Sequence, residues 1–182
     1  MPTSPAGTIE PHPRSRRERG FSLVEILVVV AIIGVTTGLV ALSIRGSGER
    51  EVENAALRAQ ALVRLACERA MIGGRDIGFA VVSDGLRFGY FDIDGWRPLG
   101  DTGSDELRAR KLGRDLVLTA ERDGVVLPIP DEPGREPSFA CLSSGELTPF
   151  VMRVDRSDAS HLWELEGHFD GDITLRQVQR DF

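Results

Sequence analysis

Two cysteines in 182 residues, Cys67 and Cys141, are too few for a thiolate metal cluster and allow at most one disulfide. Motifs for nucleophilic, metal or phosphate chemistry are missing too. There is no G-x-S-x-G, H-E-x-x-H, C-x-x-C or Walker-type loop, and His12, His161 and His168 lack metal-ligand spacing. Asp92-Ile93-Asp94-Gly95 and Asp170-Gly171-Asp172 do not supply a full calcium-loop ligand set, so they read as acidic turns. No enzyme, metal or cofactor is therefore expected. Positive charge is also short, with 22 Lys+Arg against 28 Asp+Glu and a net charge of -6. Residues 1–20 carry four Arg and two Glu, which leaves -8 on the remainder. Such a body gives phosphates nothing to bind, and nucleic acid is not an expected partner. The length suits one globular domain, and a mean hydropathy of -0.11 excludes a multi-span membrane protein.

What is present is one long apolar run. From Ile26 to Ile44 the only polar side chains are Thr36, Thr37 and Ser43. At about 1.5 Å per residue the run is roughly 28 Å long, the thickness of a bilayer's hydrocarbon core. It follows a proline-broken start, with Pro2, Pro5, Pro11 and Pro13, and a basic stretch from Arg14 to Arg19. Basic residues before an apolar helix predict a cytoplasmic N-terminus and a C-terminal body across the membrane. A cleaved secretory signal fits poorly, because its apolar core is shorter and ends in a small-residue site that is missing here. Glu25 fits neither that reading nor a plain anchor. A carboxylate at the start of a membrane helix is costly unless paired, and a cut after Gly20 would make the new amine of Phe21 its nearest cation.

Past Ser47 the pattern changes. Val52, Ala56, Ala59, Val63, Ala66 and Ala70 recur at helical spacing and predict an amphipathic continuation of the helix, with bending expected at Gly46-Ser47-Gly48. Beyond Gly73-Gly74 the runs IGFAVVS, LRFGYF, LVLTA, VVLPI, TPFVMRV and ITLRQV read as strands. Asp84-Gly85, Asp123-Gly124 and Ser144-Gly145 supply the turns. Leu86, Phe88 and Tyr90 alternate with Arg87 and Gly89, as in a sheet buried on one face. Residues 100–104 and 128–137 read as surface loops, and Trp96 and Trp163 as packing residues. The expected fold class is α+β, a long N-terminal helix packed on a small antiparallel β-sandwich or sheet. On the orientation above, Cys67 and Cys141 lie where disulfides persist. A helix-to-sheet bridge and two buried free thiols both remain open.

Gly20-Phe21-Ser22-Leu23-Val24-Glu25, after a basic leader and before a long apolar helix, resembles the class III signal of the type IV pilin superfamily. The resemblance implies that a prepilin peptidase cuts between Gly20 and Phe21 and methylates the Phe21 amine, giving an N-methylphenylalanine. It also implies that Glu25 guides helix-to-helix assembly. The divisions implied are a leader 1–20, a transmembrane and assembly helix 21–45, an amphipathic continuation 46–73 and a periplasmic β-rich domain 74–182. The stretches ERAMIGGRDIGFAV, GLRFGYFDIDGWRPLG, LRARKLGRDLVL, FACLSSGELTPFVMRV and DGDITL are similar to the H-type minor pseudopilins of type II secretion, relatives of the FimT and FimU minor pilins. Where many pilins carry a kinking proline this chain has Leu42. The partners implied are the peptidase, the major G-type pseudopilin, the minor I-, J- and K-type pseudopilins and the inner membrane, in a periplasmic pseudopilus that supports export of folded proteins. A minor pilin of a type IV pilus, serving pilus assembly or DNA uptake, is the alternative. It would need a basic surface, of which LRQVQRDF with Arg176 and Arg180 offers little.

Overall fold

The computed structural model describes residues 21–100 and 106–180, with the side chains of 39–47 outside that description. Gly20 and most of the loop expected at 100–104 therefore lie outside the described residues. The chain divides into two compact units, Met1–Ala41 and Leu42–Phe182.

In the first unit the backbone becomes helical at Leu23, the start of α1 (Leu23–Gly73). Every side chain from Phe21 to Gly38 is exposed. The two threonines among them do not need water: the Thr36 hydroxyl donates to the Ile32 carbonyl at 2.8 Å and that of Thr37 to the Ile33 carbonyl at 2.6 Å. Among the described residues no helix is long and apolar enough to cross a membrane. The run expected to span, Ile26 to Ile44, has described side chains only as far as Gly38. Helical hydrogen bonding continues through Gly46-Ser47-Gly48.

The second unit is a two-sheet sandwich with the later part of α1 against its core. Among the described residues ten strands follow the helix: β1 (Ile77–Val82), β2 (Gly85–Asp92), β3 (Gly95–Pro98), β4 (Arg110–Lys111), β5 (Val117–Arg122), β6 (Val125–Leu127), β7 (Phe139–Cys141), β8 (Phe150–Asp155), β9 (His161–Gly167) and β10 (Ile173–Gln179). One antiparallel sheet has the order β3-β2-β1-β7 with β4 beside β2, and the other runs β10-β9-β8-β5-β6. The expected turns sit between strands where the chain needs positive φ, as at Asp123 (52°) and Gly124 (77°) in the β5–β6 hairpin.

The stripe read from the helical spacing is the buried one. Val52, Ala56, Ala59, Val63, Ala66 and Ala70 are fully covered, and alanine there lets the sheets approach the helix axis closely. Four phenylalanines join the sheets. Phe79, Phe88 and Phe139 come from the first, and Phe150 from the second meets Phe79 at 5.5 Å and Phe139 at 4.9 Å between ring centroids.

The first sheet departs from the expectation of one buried face. All six residues of β1 are buried. Its second face is covered by the Trp96 indole, which donates to the Gly78 carbonyl at 3.2 Å, and by Pro137. Gly78 and Gly89 are cross-strand partners, and a Cβ on either would stand 2.7 Å from Trp96 Nε1. Glycine at both positions makes the slot for this indole. The loop expected at 128–137 is indeed without strands, yet it also finishes β1: the Pro130 carbonyl accepts from Ser83 N and Ser138 Oγ from Val81 N.

Candidate functional site

Of the residues singled out from sequence, Phe21 and Glu25 lie at the start of α1. Ser22 precedes the first helical residue, and its carbonyl accepts from Ile26 N at 3.2 Å. Glu25 lies in the first turn, where the unsatisfied N–H groups of a helix favour negative charge. Phe21 is 78% exposed, and it lies four residues before Glu25, a spacing that puts two residues on one helical face. Around them Leu23, Val24, Ile26, Leu27, Val28, Val29, Val30, Ile32, Ile33 and Val35 are all exposed. Burying a large aliphatic side chain is worth about 1.5–3 kcal/mol, so this segment forgoes on the order of 20 kcal/mol while bare in water. Its chemistry is that of a surface built to be covered, with one carboxylate at its head.

A second set of groups, unread in the sequence, ties the helix just past the unit boundary to the sheet. Glu51 accepts from Arg156, which also pairs with Asp158 at 2.6 Å, and Glu51 accepts from Arg114 N. Gly48 leaves room for this arrangement, since a Cβ there would lie 3.0 Å from the Asp158 carboxylate. Glu49 accepts from the Ser160 hydroxyl, with His161 Nδ1 at 3.8 Å. The Ser160 hydrogen bond, more than the His161 ring, holds the Glu49 carboxyl below the usual glutamate range. Glutamates on one turn thus grip loops more than 100 residues away.

Further along the helix Cys67 is joined to Cys141 of β7 by a disulfide with its Cα atoms 4.9 Å apart. Of the two possibilities open in the sequence, the structure contains the bridge.

Neither acidic turn gathers metal ligands. Asp94 and Asp92 face Arg97, at 2.7 and 3.9 Å, and Asp170 accepts from Asp172 N. Among the described residues no group of three His, Cys, Asp or Glu side chains could hold a metal ion. His161 belongs to the Glu49 grip, the His168 backbone closes the β9–β10 turn, and His12 lies outside the described residues. Trp163 is half-buried against the core.

The start of the chain matches a family described as the prokaryotic N-terminal methylation motif, over residues 15–41. Across most of its length the chain is similar to type II secretion system protein H of Pseudomonas aeruginosa, 31% identical over 150 residues that cover 76% of this chain and 84% of that one. The chain belongs to the type II secretion system protein H family. The protein H of Aeromonas hydrophila is 29% identical over 157 residues, with 80% and 85% covered. Among solved structures, the minor pseudopilin EpsH from the type 2 secretion system of Vibrio cholerae matches with a TM-score of 0.56 and 25% identity, over 69% of this chain and 94% of that one. Escherichia coli GspH shares the fold, with a TM-score of 0.53 at 20% identity over 71% and 89%. The protein H family is that of the minor pseudopilins, and its α+β fold is the one seen here. Membership favours secretion over the type IV pilus alternative.

Proposed function

We propose that the protein is an assembly subunit made as a precursor and inserted in the inner membrane with its N-terminus in the cytoplasm. It is cut between Gly20 and Phe21, methylated on the Phe21 amine, and packed through its helix into a periplasmic pseudopilus. The observation that carries this reading is the bare apolar helix start, whose lone carboxylate Glu25 stands four residues after the N-terminus that cleavage would create. In a medium of low dielectric the carboxylate needs a cation, and the amine of Phe21 on a neighbouring subunit would set the register of helix against helix. The protein then acts by holding its neighbours, not by chemistry. We place it near the tip, with the I-, J- and K-type minor pseudopilins and the major G-type pseudopilin as neighbours.

Gly20→Ala tests the first step. Intact mass from membranes that hold one active prepilin peptidase should show the uncut precursor accumulating. Normal conversion to a chain that begins at methylated Phe21 would overturn the assigned cleavage site.

A further inference from the structure

The two sulfurs of the disulfide have unequal surroundings. Cys141 lies in β7, paired through Ile77 to β1 on one side and bridged to Leu147 on the other, and none of its surface is exposed. Cys67 keeps 8% of its surface. It lines a pocket of about 240 Å³ between the helix and the β9–β10 turn, together with Arg64, Glu68, Met71, Asp172 and Ile173. The walls of this pocket are fixed by Arg64, which donates to the Ile173 carbonyl at 2.7 Å. Gly171 is held in a left-handed turn with φ 86°.

We propose that Cys67 is the entry point for thiol–disulfide exchange in this protein, with Cys141 as the resolving thiol inside the core. Exchange needs a sulfur that an incoming group can reach, because it runs through a mixed disulfide formed by direct attack. When the bridge forms, the Cys67 thiolate attacks a disulfide of a dithiol oxidant. A bond forms between Cys67 and one sulfur of the oxidant, and the oxidant's other sulfur leaves as a thiolate. The Cys141 thiol gives up its proton and attacks Cys67 Sγ, closing the protein disulfide and releasing the now reduced dithiol. In the reverse direction an outside thiolate attacks Cys67 Sγ, and Cys141 leaves into apolar surroundings that disfavour its charge, which makes reduction slow. The helix cysteine therefore carries any mixed disulfide, and the sheet cysteine never meets the catalyst in the folded chain.

The test uses the full chain in detergent micelles, with single variants that leave one thiol each. In native buffer the remaining thiol of Cys141→Ser should react with 5,5′-dithiobis(2-nitrobenzoate) at least about tenfold faster than that of Cys67→Ser, and the ratio should fall to near unity in denaturant. Equal or reversed native rates in folded variants would overturn the assignment. Should a variant fail to fold, the parent protein decides. It is treated with a limiting amount of reduced glutathione, quenched with acid and digested for peptide mass analysis. Glutathione on the Cys67 peptide supports the proposal, and glutathione on the Cys141 peptide overturns it.

Discussion

One helix passes through two kinds of environment, and its residue sizes differ accordingly. From Leu23 to Val35 it carries large aliphatic side chains, all exposed. From Val52 to Ala70 its apolar stripe is mainly alanine, all buried. Among the described residues nothing covers the large side chains. The alanines have their partners already, and their small size is what brings two sheets against the helix. Exposure with bulk marks the part that is incomplete alone; burial with small size marks the part that folds as a domain.

The contrast breaks most visibly at the phenylalanine cluster. Phe79→Ala should lower the stability of the second unit by about 3–5 kcal/mol, because it removes a fully buried ring that touches both sheets. Val29→Ala in the exposed run should leave thermal unfolding of that unit unchanged. Calorimetry of both variants checks the pair, and a comparable shift in the two would erase the distinction between the regions.

Next in size is the disulfide. It closes a loop with a sequence separation of 74, and constraining the unfolded chain over such a length is worth about 2–4 kcal/mol. Denaturant unfolding with and without complete reduction should show that loss. An unchanged midpoint would mean that helix-to-sheet packing holds the junction without the bond.

A smaller effect is expected from the outer face of the second sheet. Thr119, Arg153, Glu164 and Arg176 form a row across β5, β8, β9 and β10. Glu164 is 4% exposed, and it accepts from Arg153 at 2.7 Å and from Arg176, while Arg153 also reaches Glu121. Burial acts to raise the Glu164 pKa, and the hydrogen bonds from Arg176 and Arg153 outweigh it, so the carboxyl titrates below the usual glutamate value. A lowered folded-state pKa stabilises the fold above the unfolded value of 4.5, and the contribution disappears as pH falls from there through the lowered value. Stability should be flat from neutral pH to about 5 and then fall, with a shallower fall in Glu164→Gln. Because both arginines are partly exposed, that variant should cost only about 1–2 kcal/mol at neutral pH. Identical acid limbs for variant and parent would remove Glu164 as the source.

How much of this was legible beforehand depends on whether the signal was local. The helix stripe and six of the strands are periodic in sequence and were readable. Strand β9, HLWELEG, carries two glutamates at alternate positions and is not among the runs read as strands; one of the two is the buried Glu164, whose partners lie on other strands. Strand β3, GWRP, ends in proline, and β7 has only three residues. The grip of Glu49 and Glu51 was invisible because Ser160 and Arg156 stand 111 and 105 positions away. For Cys67 and Cys141 the sequence left two outcomes, since pairing turns on a distance that spacing along the chain does not fix. The Gly20 to Glu25 motif, by contrast, is contiguous and was readable in full.

Glu25→Gln should have the smallest effect on folding of all, and it probes the exposed region alone. Glu25 is in the first unit, and among the described residues it has no ion-pair partner, so removing its charge breaks no contact in the folded domain. Glutamine keeps the size of the side chain and a hydrogen-bonding group, and it tolerates the first turn of a helix. Thermal unfolding of the second unit should therefore match the parent, and processing after Gly20 should proceed. What the variant lacks is the charge that could seek the Phe21 amine of an adjacent subunit in lipid, where an unpaired carboxylate costs a few kcal/mol. Site-directed crosslinking to the other pseudopilins in membranes should drop, and secretion with it. If crosslinking and secretion equal those of the parent while the protein is cleaved and inserted, the carboxylate does not set helix register, and the exposed run assembles by apolar contact alone.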